Sequence, residues 1–126
     1  MKKTNDSLDS LRDALRRFAA ARDWQQFHTP KNLAMAVSVE VAELVEHFQW
    51  LTAEQSGRLN ATTKRAVGEE IADVLLYLTR LADVLDIDPL AAAERKIKIN
   101  ARKYPVRRSR GSAAARANTA TIERTV

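Results

Sequence analysis

Residues 37–51 and 67–81 carry one pattern twice, and this repeat constrains the fold more than any other feature of the chain. At an offset of 30 residues, Val37 falls on Val67, Val41 on Ile71, Leu44 on Val74, Phe48 on Leu78 and Leu51 on Leu81. Intervals of three and four residues mark one face of a helix, so both segments read as amphipathic helices that need an apolar partner. The acids repeat in step: Glu40 falls on Glu70 and Glu43 on Asp73, with Ala42 on Ala72 between them. At about 100° per residue, the two acids of each pair stand roughly 60° apart, beside the apolar arc. By the same arithmetic Glu46 lies roughly 120° from Glu40 and Glu69 roughly 100° from Glu70, which makes those two ordinary surface acids.

The rest of the chain punctuates into helices. Asp6 or Ser7 caps a first helix that runs to about Arg22 with Leu8, Leu11, Leu15 and Phe18 on one stripe. Thr29-Pro30 places a capping hydroxyl before a proline at the first helical position, starting a helix expected to reach Trp50. A polar stretch, TAEQSGRLNATT, has room for a short helical turn before the next helix, from Asn60 or Thr62 to Leu85. Asp88-Pro89 repeats the cap-then-proline signal for a last helix that ends before Tyr104-Pro105. No strand candidate appears, so an all-α bundle of four to five helices is expected. Its helical domain spans 1–105, and 106–126 form a basic, mostly disordered tail.

Composition narrows the function classes. The chain has 126 residues, enough for one domain, and no cysteine, which excludes disulfides and thiolate metal sites. The formal net charge of +5 would suit a nucleic-acid partner if it were spread over the body. Residues 1–103 hold sixteen Lys/Arg against fifteen Asp/Glu, while 104–126 hold five Arg against Glu123, so the excess lies in the tail. A body this balanced shows no basic stripe for a duplex. No apolar run approaches the roughly 20 residues of a membrane span, and Met1-Lys-Lys is not followed by the apolar core of a signal peptide. A soluble cytoplasmic protein is expected, with no membrane partner.

If the two repeated arcs pack together, Glu40, Glu43, Glu70 and Asp73 converge. Carboxylates brought together away from water take up protons or find cations. Oxygen-only ligands suit a hard divalent ion, Mg²⁺ first and Mn²⁺ as a substitute. No E-x-x-H stands at these positions, which disfavours a di-iron site. The plainer alternative pairs these acids with Lys or Arg, or leaves them at a wet rim; one E-x-x-E on a helix would favour it, and two pairs in the same phase favour convergence. His47 and Tyr77 follow one turn past each pair. In the final helix Lys96, Asn100 and Lys103 share a side, either as a solvated face or as contacts for phosphate. The connection RDWQQFHTP puts Trp24, Gln25, Gln26, Phe27 and His28 together, as a hydrophobic plug or as a wall on which a base could stack.

In order along the chain, RDWQQFHTPKNLAMAV, the run ending in FQW, EEIADVLLYL and KIKINARKYPV resemble the all-α nucleoside triphosphate pyrophosphohydrolases of the MazG-like superfamily, and most closely the dCTP pyrophosphatase branch. The resemblance covers roughly residues 8–112. It implies magnesium-dependent hydrolysis of (deoxy)nucleoside triphosphates, dCTP or related pyrimidine nucleotides, to the monophosphate and pyrophosphate, in nucleotide-pool sanitation. It makes Glu40, Glu43, Glu70 and Asp73 metal ligands and catalytic acids. Trp24, Gln25, Gln26, Phe27, His28, Trp50 and Tyr77 become nucleotide contacts, and Lys96, Asn100 and Lys103 fall near phosphate or sugar. It further implies a homo-oligomer, a tetramer or a dimer. Two departures bear on base selectivity: Leu15 falls where animal members carry a substrate-contacting His, and Val39 replaces a usual Gly. The competing expectation is a non-catalytic helical oligomer whose Arg-rich tail binds nucleic acid.

Overall fold

A computed structural model describes residues 7–112 of the chain. Every element among them is helical: α1 (Leu8–Ala21), α2 (Pro30–Glu46), α3 (Ala53–Ser56), α4 (Ala61–Val84), α5 (Pro89–Lys103) and α6 (Val106–Ser109). Four are long and two are single turns. The chain divides between Ile87 and Asp88 into two compact units, the first holding α1 to α4 and the second α5 and α6.

At the start of each of the four long helices a side chain satisfies one or two of the orphan amides. Ser7 accepts from the Ser10 amide at 3.1 Å, Thr29 from Asn32 at 3.2 Å and Asn60 from Thr63 at 2.8 Å. Asp88 accepts from both Leu90 and Ala91. Each such cap is worth about 1 kcal/mol, and Pro30 and Pro89 sit where the missing N–H costs nothing. Thr52 and Gln55 form a reciprocal capping box on α3. That box explains why α2 stops at Glu46 and not at Trp50: the chain has to turn into the Thr52 cap. It does so through tight bonds from Phe48 to Val45 and from Leu51 to Phe48, both 2.9 Å.

Helices α1 and α4 end alike without glycine. Trp24 donates to Ala19 at 2.9 Å and Asp23 to Ala20 at 3.1 Å, while Ile87 donates to Ala82 at 2.8 Å and Asp86 to Asp83 at 3.1 Å. These are Schellman closures, and they place Asp23 at φ 52° and Asp86 at φ 55°, the left-handed region that Asp tolerates better than most residues.

In the first unit α4 packs against both α1 and α2. Ala19, Leu33 and Val67 are buried, one from each of the three helices, and Thr79 and Arg80 are buried beside them on α4. Thr79 satisfies its hydroxyl by donating to the Leu75 carbonyl at 2.7 Å. The apolar arcs of α2 and α4 are covered only in part: Val41, Val45, Ile71, Leu75 and Leu78 stay exposed, Ile71 by 53%.

In the second unit α5 ends where Tyr104 donates to the Asn100 carbonyl at 2.7 Å, and Pro105 starts the single turn α6. Of the segment expected to be a disordered tail, 106–112 hold this turn and 113–126 lie outside the described residues. No helix among the described residues is long and apolar enough to cross a membrane.

Candidate functional site

Packing α2 against α4 brings Glu40, Glu43 and Glu70 together, with one carboxylate oxygen from each lying within 4.8 Å of the others. All three are half-buried. Glu40 Oε2 and Glu70 Oε2 are shielded from solvent and have no hydrogen-bond partner. A carboxylate oxygen in that position is costly unless a proton or a cation answers it.

The electrostatics register this cost. Burial, a hydrogen bond with Glu43 that only a protonated acid can make, and repulsion from Glu43, Asp73 and Glu70 push Glu40 up to about 7. Glu70 also moves above the ordinary glutamate range, first through burial and then through the charge of Glu43, with His47 opposing. His47 Nε2 stands 3.9 Å from Glu70 Oε1. Three oxygen donors with two orphaned buried oxygens fit a hard divalent cation, Mg²⁺ or Mn²⁺, better than they fit each other. Glu46 and Glu69 are exposed, as their phase on the helices requires.

Asp73 stands outside that trio yet close enough to raise both Glu40 and Glu70 by repulsion. It also lines a cavity of about 140 Å³ together with Leu15, Phe18, Trp24, His28, Leu76, Tyr77 and Arg80. One residue thus joins the acid cluster to an aromatic cavity. Phe18 and Trp24 meet edge to face at 5.6 Å, and Trp24 meets His28 likewise at 6.2 Å. The Schellman closure of α1 aims this wall, because it turns the chain at Asp23 and sends Trp24 back toward Phe18.

The aromatic connection is split by the structure. Trp24, His28 and Tyr77 line the cavity, whereas Phe27 is 60% exposed and Trp50 is 87% exposed, and neither lines it. Gln25 is exposed, and Gln26 donates to the Asp23 carbonyl at 3.0 Å and to its carboxylate at 3.2 Å. Lys96, Asn100 and Lys103 all lie on α5 in the second unit; Lys96 is exposed, Asn100 and Lys103 are half-buried, and the Lys103 ammonium stands 5.8 Å from the Tyr104 ring.

Sequence reasoning missed Arg80. Its exposure is 9%, and its Nε donates to His28 Nδ1 at 3.1 Å while Nη1 reaches Asp83 at 3.4 Å. Asp83 in turn takes a two-pronged contact from Arg16, through Nε at 2.7 Å and through Nη2. This pairing holds Asp83 below the ordinary carboxylate range, against the effect of burial. The signal was present: Arg80 lies three residues past Tyr77 and seven past Asp73, on the face that carries both.

A family model described as MazG-like matches residues 35–115. The chain is similar to dCTP pyrophosphatase 1 of Bos taurus, 43% identical over 109 residues that cover 85% of this chain and 64% of that protein. To dCTP pyrophosphatase 1 of Homo sapiens it is 42% identical over 108 residues, covering 84% and 64%. The match therefore spans just under two thirds of these relatives' length. Among solved structures it resembles a pyrophosphatase from Archaeoglobus fulgidus, with a TM-score of 0.75 and 45% identity over 83% of this chain and 98% of that one.

Proposed function

This chain belongs to the MazG-like family, and from that membership and the site geometry we propose that it is a divalent-metal-dependent nucleoside triphosphate pyrophosphohydrolase, acting on dCTP or related pyrimidine nucleotides and releasing the monophosphate and pyrophosphate. The observation that carries the reading is the continuity of the site: three converged glutamates, then Asp73, then an aromatic cavity. A nucleotide has the same order, a polyphosphate that needs cations and a planar base that stacks on aromatic rings.

Glu40, Glu43 and Glu70 are the residues that would hold Mg²⁺ or Mn²⁺, with Asp73 beside them. The ion supplies positive charge that polarises the phosphoryl oxygens. A carboxylate of the cluster accepts the proton of the attacking water as its oxygen bonds to the α phosphorus and the bond to the bridging oxygen breaks, so that pyrophosphate leaves. Trp24 and Tyr77 flank the base, and His28 meets its edge. The similarity to proteins named dCTP pyrophosphatase 1 supports the choice of substrate class.

We further propose that the working form is a homo-oligomer. Only Ala19, Leu33 and Val67 are buried apolar residues among those described, while Val41, Val45, Ile71, Leu75 and Leu78 stay exposed on α2 and α4. Uncovered apolar stripes of this extent belong against a second copy.

The test is chromatographic: the folded protein with MgCl₂ is offered each deoxynucleoside triphosphate, and monophosphate and pyrophosphate are expected in equal amounts, fastest from dCTP. Glu43→Gln is expected to abolish turnover. Failure to release pyrophosphate from any nucleotide, with Mg²⁺ or Mn²⁺, would overturn the reading.

A further inference from the structure

We infer that Arg80 is a positioning residue for base recognition: it locks His28 in the tautomer that carries its proton on Nε2, so that the cavity presents a hydrogen-bond donor. The inference rests on the reading of this cavity as the base pocket. A guanidinium is always protonated and only donates. Because Arg80 Nε donates to His28 Nδ1 at 3.1 Å, Nδ1 is an acceptor and bears no proton. A neutral imidazole then carries its one proton on Nε2.

This polarity is the reverse of the usual catalytic base. A histidine backed by a carboxylate donates from Nδ1 and leaves Nε2 free to accept a proton. Backed by an arginine, His28 offers Nε2–H and serves recognition instead of proton abstraction. Burial and the positive charge of Arg80 both act to keep the ring neutral.

The lock is itself braced. Asp83 accepts from Arg80 Nη1 at 3.4 Å and is gripped by Arg16, so the guanidinium is tied from behind. Trp24 packs edge to face against the imidazole at 6.2 Å, and the His28 amide donates to the Trp24 carbonyl at 3.1 Å. Ring and backbone of His28 are therefore both held.

A fixed donor selects for an acceptor. Cytosine has an unprotonated N3 beside the O2 carbonyl, whereas uracil and thymine carry N3–H, which would meet Nε2–H donor to donor. The ligand class favoured is a pyrimidine edge whose ring nitrogen is unprotonated.

Long-range proton–nitrogen NMR of the ¹⁵N-labelled protein at neutral pH tests the lock directly. The chain has two histidines, so a His47→Gln sample assigns the His28 signals. Protonated Nε2 and unprotonated Nδ1 are expected, with Arg80→Met giving a tautomer mixture and Arg80→Lys keeping most of the Nε2–H form. A proton on Nδ1 in the unmodified protein, or an unchanged tautomer in Arg80→Met, would refute the lock. In steady-state assays Arg80→Met is expected to cut the dCTP-to-dUTP ratio of kcat/KM about tenfold, mainly through KM, with partial rescue by Arg80→Lys. An unchanged ratio refutes the recognition role. If Arg80→Met does not fold, Asp83→Asn, which loosens Arg80 without removing it, is expected to shift both readouts the same way by less. A protein that turns over no nucleotide defeats the proposed function and the recognition role together, while the spectrum still decides the tautomer.

Discussion

Magnesium binding should expel protons from this protein, and the amount follows from the acid cluster. Glu40 is pushed up to about 7 because its carboxylate is shielded and faces Glu43, Asp73 and Glu70. At pH 7 about half of the metal-free molecules therefore carry a proton there, about nine tenths at pH 6 and about one tenth at pH 8. A cation needs the ionised form, so binding at pH 7 releases about half a proton from Glu40. From Glu40 alone the apparent association constant should rise about tenfold between pH 6 and pH 8. The stability sign agrees. A carboxyl whose folded pKa lies above its unfolded value holds extra protons in the native state, so metal-free stability falls as pH rises from the ordinary glutamate range through about 7. Magnesium should consequently raise the melting temperature more at pH 8 than at pH 6. Titration calorimetry of MgCl₂ into metal-free protein, repeated in buffers of different ionisation enthalpy, measures the release. Glu40→Gln should remove most of it. Tight binding with no proton release at pH 6 and 7 would show that the cation does not sit among these glutamates.

Three other outcomes are expected. Asp83→Asn should cost about 1–2 kcal/mol near neutrality by weakening its contacts with Arg16 and Arg80. Because the folded pKa of Asp83 is depressed, that contribution is complete above the ordinary aspartate range and fades as pH falls through the folded value, so melts of the two proteins should converge in acid; a difference that persists there would point to packing instead. Asp86→Val should cost about 1–2 kcal/mol in urea unfolding, since a β-branched residue is forced to φ 55°, whereas Asp86→Gly should fold at least as stably; equal stability of all three would refute the Schellman account of the α4 terminus. Ile71→Asp should convert a multimer to single chains in light scattering, because it charges the exposed stripe of α4; a single-chain mass for the unmodified protein at micromolar concentration would remove the oligomer.

The helix starts were legible because caps are local chemistry. Ser7, Thr29, Asn60 and Asp88 each bond amides two or three residues on, so the information lies within one turn. Helix ends were harder. Both Schellman closures use Asp where glycine is the usual signal, and α2 stops early because the next element's capping box dictates the turn. Within the site, the thirty-residue repeat was enough to bring Glu40, Glu43 and Glu70 together, because two amphipathic helices that pack on each other along matching stripes place matching flanks side by side. The same rule could not separate Asp73 from that trio, since a helix turn on one partner changes a distance that only packing sets.

What the amino-acid sequence determined alone is therefore periodic and local: the helices of the described residues, their caps, and an acidic flank repeated beside an apolar arc. Tertiary structure decided which members of each pattern meet. Trp24 and His28 line a cavity while Phe27, their neighbour in sequence, faces solvent, because the closure at Asp23 sets the direction of the following chain. Arg80 looks in sequence like any cation on a long helix. Packing sets its Nε against His28 Nδ1, 52 residues away, and no local interaction encodes a contact that only the packing of α4 creates.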